Sequence, residues 1–179
     1  MTQPRGTDLE PLAPPRAPGL LLGLGLGGFV DGIVLHQILQ WHHMISSTAD
    51  YPVTTVAGLE ANTLADGFFH VATWLCVLSA TTLLLANWRR GRRPPTAQMQ
   101  IGLVLAGWGL FNLAEGLVDH QLLGVHHVRD DLGAPLTWDL GFLAFGALLV
   151  AGGWALQRTA QPRSPIDEEP NAPGSSRRR

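Results

Sequence analysis

The chain contains no lysine; all twelve of its basic residues are arginine, and no function attaches to that bias. It has a single cysteine, Cys76, which excludes an internal disulfide framework and any C-x-x-C centre. Cys76 lies in an apolar stretch, where a small buried hydrophobe is the plain reading. Charge is scarce as well: 15% of residues are charged, against about 25% in average soluble domains. The deficit falls between residues 19 and 157, because both ends are polar. A formal net charge of −2 gives no basic footprint for nucleic acid. The metalloprotease string H-E-x-x-H is absent, and so are the Glu-x-x-His pairs of di-iron bundles.

What remains is apolar: 46% of the 179 residues are hydrophobic and 21 are glycine. Four stretches are long enough to cross about 30 Å of hydrocarbon as helices, at about 19–43, 64–87, 100–123 and 136–156. The first is not a signal peptide, since no A-x-A-like cleavage site follows it. Residues 1–18 and 158–179 are rich in Pro and charge and read as disordered cytoplasmic tails. The loop between spans two and three carries Arg89, Arg90, Arg92 and Arg93, and short basic loops stay in the cytoplasm. With four spans, both termini then lie inside, and the 44–63 and 124–135 loops face outward. Gly23/Gly27 and Gly28/Gly32 give small-xxx-small spacings for close helix contact. The same glycines form a G-x-G-x-x-G-like string, but no strand precedes it, so it does not read as a nucleotide loop.

One pattern dominates. Residues 31–43 read D-G-I-V-L-H-Q-I-L-Q-W-H-H, and residues 115–127 read E-G-L-V-D-H-Q-L-L-G-V-H-H. Six of the seven histidines lie in these two copies. The following helices match more weakly, Asp66-Gly-Phe-Phe against Asp139-Leu-Gly-Phe. The expected fold is an all-α four-helix transmembrane bundle built from two parallel two-helix repeats, related by a pseudo-two-fold axis along the membrane normal.

At about 100° per residue, Asp31 shares a helix face with His42, and His36 shares another with His43; Glu115/His126 and His120/His127 repeat this. Every ionisable residue of the spans falls in the outer half or at the centre. Such residues at membrane depth are costly and mark function. Neutral imidazole with carboxylate suits Zn, Fe or Cu, whereas Cu(I) transfer prefers Cys and Met, which are nearly absent here. The candidate metal ligands are His36, His120 and His70, with Asp31, Asp66, Glu115, Asp119 and Asp139 as ligands or as acceptors that orient the imidazoles. His43 and His127 join them, one residue of each His-His pair being expected to face the lipid headgroups. The competing structural account is interhelical hydrogen bonding by these histidines, with protonated carboxyls. Gln37 and Gln121 bridge helices or orient imidazoles. Trp41, Trp74, Trp88 and Trp138 read as interfacial anchors, and Asp130-Asp131 as a solvated turn.

Three runs together, D-G-x-x-x-H-Q…H-H, Y-P-x-T-T-V-x-G-L-E-x-N-T-L-x-D-G-x-F-H and E-G-x-x-D-H…H-H, resemble an uncharacterised family of bacterial predicted membrane proteins, a domain of unknown function. The resemblance covers about residues 20–156. It implies a four-span integral protein of a bacterial inner membrane and no particular activity. Members are sometimes encoded near cytochrome oxidase assembly factors. That association favours a respiratory or copper-related role, with partners among respiratory-complex assembly proteins.

The leading expectation is a membrane protein binding one or two transition-metal ions in the outer half of the bundle, as a redox or oxidase-assembly accessory. The alternatives are a membrane haem protein with His36 and His120 as axial ligands, a metal-dependent membrane hydrolase, and a proton or ion path without metal. The apolar inner halves offer no polar relay for the last.

Overall fold

Helix α1, Ala17–Ile38, begins with Pro18 in its first turn, where the missing N–H costs nothing. Helix α2 runs Val56–Arg89, α3 Ala97–Leu123 and α4 Leu136–Thr159. Thr55 and Thr96 cap α2 and α3, their hydroxyls accepting from the backbone N–H of Gly58 and Met99 at 3.1 Å each. The Thr55 cap starts α2 eight residues before Leu64, where the apolar run alone placed it. The structure, a computed structural model, describes residues 14–159, so most of both polar tails lies outside it. All four helices are long and apolar enough to cross a membrane.

Glycine decides the packing. Helices α1 and α3 are central: half of the most apolar stretch of α3 (50%) is buried, against 11% for α2. A side chain at Gly23 would strike the Val104 backbone, and one at Gly107 would strike that of Leu20. Gly28 and Gly32 face α2 instead, where a Cβ at Gly32 would come within 2.7 Å of the His70 ring. The two small-residue spacings of α1 therefore serve two different neighbours, as close approach in lipid requires. On the far side Gly102 and Gly109 of α3 meet Gly153 and Gly146 of α4. Helix contacts run α2–α1–α3–α4, and α2 and α4 do not touch one another among the described residues. Leucines, phenylalanines and tryptophans stand exposed along the outer faces, Leu148, Phe68 and Trp88 among them, as a lipid-facing surface requires.

The ends of α1 and α3 differ from the regular helix assumed above. Over Asp31–Ile38 and Gly116–Leu123 the chain widens into π-helix. Wide turns close each exit: Leu39 N–H donates to Val34 at 2.8 Å, and Val125 N–H donates to Asp119 at 3.1 Å. Gln40 (φ 50°) and Gly124 (φ 59°) then turn the chain through left-handed conformations. Helix α1 thus stops at Ile38 rather than at His43, and both His-His pairs sit in loops.

Those loops interlock. Ser47 N–H donates to the Val125 carbonyl at 3.0 Å, and Asp131 N–H donates to Trp41 at 3.2 Å. Asp130 accepts from the hydroxyls of Ser46 and Ser47 and from the His127 backbone N–H. It is a tie between loops rather than a solvated turn.

Candidate metal centre

In a regular helix, residues five apart point about 140° apart. In a π-turn, i→i+5 bonding makes them neighbours on one face. Asp31 and His36 are five apart, and so are Glu115 and His120. The widened turns therefore aim each carboxylate and its histidine into the same space between α1 and α3, a pairing that regular geometry does not give.

The loops then deliver His42 and His126. Six buried side chains converge: Asp31, His36, His42, Glu115, His120 and His126, none more than 4% exposed. Their ligand atoms form three overlapping triads, His36/His42/His126, Glu115/His120/His126 and Asp31/His36/Glu115, each within 4.8 Å. The His42 and His126 rings stack 4.8 Å apart, 5° from parallel.

The two sets of hydrogen bonds match except at His120. His42 donates from Nδ1 to the carbonyl of Val128, and His126 donates from Nδ1 to that of Met44, both at 3.0 Å. Asp66 accepts from His36 Nδ1 (2.9 Å), His43 Nδ1 (2.6 Å), Met44 N–H (2.9 Å) and Gln37 Nε2 (3.0 Å). Asp139 accepts from His127 Nδ1 (2.7 Å), Val128 N–H (3.0 Å) and Gln121 Nε2 (3.3 Å), and His120 Nδ1 stands 3.5 Å away. A carboxylate offers about four lone-pair sites. Asp66 has all four engaged, so it holds imidazoles in place and has no oxygen left to meet an ion.

The inward atoms are the reverse. Among the described residues no hydrogen-bond partner satisfies Nε2 of His36, His42, His120 or His126, nor either oxygen of Asp31 or Glu115. Buried polar atoms rarely stay unpaired, because each costs about 1–3 kcal/mol. His36 Nε2 lies 2.9 Å from Asp31 Oδ2 without hydrogen-bond alignment, and His126 Nε2 lies 3.5 Å from Glu115 Oε1. Adjacent ligands on an ion with bonds of ~2.1 Å are separated by about 3.0–3.4 Å. Burial, with the neighbouring His42, His120 and His36 rings, pushes the His126 imidazole well below its ordinary value, so it stands neutral, the ligating form.

The remaining candidates lie outside these triads. His70 donates to the backbone carbonyl of Asp66 in its own helix at 2.7 Å and packs on Gly32. Asp119 is half-buried. His43 and His127 face inward on Asp66 and Asp139, not toward headgroups. His42 and His126 were named by sequence only as face-mates of Asp31 and Glu115, and the matched His-His pairs are the signal that marks them. Trp41 and Trp138 also differ from simple anchors. Their rings lie 5.5 Å apart under the Arg129 guanidinium, itself held by Asp131 at 2.8 Å.

Fold and site together define an all-helical membrane protein with a buried cluster of imidazoles and carboxylates at one end of its spans. The chain belongs to the family described as a predicted membrane protein, DUF2243, whose model matches residues 18–160. No curated protein and no solved structure matches it.

Proposed function

We propose that this protein binds one or two transition-metal ions through Asp31, His36, His42, Glu115, His120 and His126. The observation that carries the reading is the division of labour within the imidazoles. Nδ1 of His36, His42 and His126 is fixed by an acceptor, while the buried Nε2 atoms of all four converge on two unpaired carboxylates. Metal-bound histidine has this arrangement, its second nitrogen donating to a carboxylate or a backbone carbonyl. Asp66, Asp139, Gln37 and Gln121 set ring orientation. Nitrogen and oxygen donors without thiolate suit Zn, Fe or Cu(II).

The basic loop at Arg89, Arg90, Arg92 and Arg93 orients the site to the extracytoplasmic half, with both termini inside a bacterial inner membrane. The matched contacts of the two halves support a duplicated hairpin about a pseudo-two-fold axis. A redox or oxidase-assembly accessory role fits a buried site of this kind. The haem alternative fits poorly: a porphyrin between His36 and His120 would meet the His42 and His126 rings, which stand 4.5 and 4.8 Å from them.

The test is elemental analysis of protein purified under native expression. It should carry at least one equivalent of a transition metal, and His36→Ala/His120→Ala should lose it. Absence of stoichiometric metal from the unmodified protein sinks the proposal.

A further inference from the structure

The three triads of the cluster cannot all be filled at once. The Nε2 of an imidazole binds one ion, whereas a carboxylate has two oxygens and can serve two. The triad His36/His42/His126 shares His36 with Asp31/His36/Glu115 and shares His126 with Glu115/His120/His126. An ion there excludes an ion at either of the others. Those other two have Glu115 alone in common, so both can be filled together, with one carboxylate between two ions.

The buried unpaired atoms separate these two fillings. One ion on the three imidazoles leaves both oxygens of Asp31, both oxygens of Glu115 and Nε2 of His120 without partners. Two carboxylates in that state are costly, because a buried charge needs an opposite charge and hydrogen bonds. Two ions on the other triads engage Asp31, His36, Glu115, His120 and His126 together. His42 Nε2 then stands 3.9 Å from Asp31 Oδ2, which assigns it to the first ion.

The repeat explains why one carboxylate bridges and its counterpart does not. The matched acidic residues are Asp31 and Glu115, and the glutamate is longer by one methylene. Asp31 lies against the histidines of its own half, 2.9 Å from His36 and 3.9 Å from His42. Glu115 groups with His120 and His126 of its own half and also with Asp31 and His36 of the other.

We propose that the cluster holds a pair of first-row transition ions bridged by Glu115. Asp31, His36 and His42 hold one ion, and His120 and His126 hold the other. The bridge deepens the metal assignment above and rests on it. Ions in two-metal sites stand roughly 3.5–4 Å apart. A shared carboxylate couples them electronically, so the pair acts as one redox unit rather than as two separate ions.

The test is copper(II) loading of the metal-free full chain in detergent, followed by desalting. Elemental analysis and electron paramagnetic resonance at liquid-helium temperature are then run on the same samples. Two equivalents should be retained, with an integrated signal well below the copper content, because ions coupled through a bridge cancel one another's spin. Glu115→Asp keeps the charge and shortens the reach, while Glu115→Gln keeps the reach and removes the charge. In each, copper content should fall and the copper that remains should give its full signal. Should neither variant fold and hold copper, the unmodified protein decides alone. A single retained ion, two ions with full signal, or coupling that persists in either variant overturns the bridge and leaves the metal assignment standing. No retained copper in the unmodified protein refutes the metal assignment, and the bridge with it.

Discussion

At the scale of single residues, the informative distinction is between polar groups that are saturated and polar groups that are not. Asp66 accepts four hydrogen bonds, whereas Asp31, equally buried, has no hydrogen-bond partner among the described residues. Both are aspartates in apolar helices, and sequence alone gives them the same candidacy. Spacing could not separate them, because the partners of Asp66 come from two other segments, Gln37 and His36 on α1 and His43 and Met44 in the loop. The distinction has a measurable consequence. Asp66→Asn keeps a side chain of the same shape but weakens the hold on His36 and His43. Metal affinity should fall about 10–100-fold, read by competition with a chromophoric chelator, while the protein stays folded. Asp31→Asn should remove metal outright. Equal affinity losses for the two variants would contradict the assignment of roles.

At the scale of elements, the exits of α1 and α3 matter most. A regular helix carried to His43 pairs Asp31 with His42 and His36 with His43, a legible but incomplete picture. The π-turns instead place Asp31 beside His36 and end the helix early, and the loop then returns His42 to the same space. No periodicity in the apolar residues announces a π-turn, because the change is one of backbone hydrogen bonding. Gly124 adopts its left-handed conformation freely, while Gln40 takes the matching one at a cost of about 1–2 kcal/mol. Gln40→Gly should therefore be neutral or stabilising, and Gly124→Val should destabilise by about 1–2 kcal/mol or more. Unfolding in a denaturing detergent series, followed by circular dichroism, gives the comparison. Destabilisation by Gln40→Gly equal to that by Gly124→Val would count against strain at this turn.

At the scale of the whole molecule, much was open to sequence. Long apolar runs mark the four spans, and the glycine spacings mark the contact faces of α1, since both follow from what lipid permits. The convergence of two halves on one cluster was legible as a repeated string. Which histidines of that string meet was not, because the answer depends on loops that cross from one half to the other, His42 to Val128 and His126 to Met44. The proposed orientation rests on the arginine loop alone. In a Cys76→Ser background, a cysteine placed at Asp131 should react with a membrane-impermeant maleimide from the outer side, and one at Arg92 only after the membrane is opened. The opposite pattern would move the cluster to the cytoplasmic side.

The proposed centre has His42 and His126 as ligands and His43 and His127 as their supports. The direct measurement is the metal-to-protein ratio of three purified forms: unmodified, His42→Ala/His126→Ala, and His43→Ala/His127→Ala. At least one equivalent is predicted in the first, almost none in the second, and a reduced but clear fraction in the third. A ratio near zero in the unmodified protein, or full loading without His42 and His126, would contradict it.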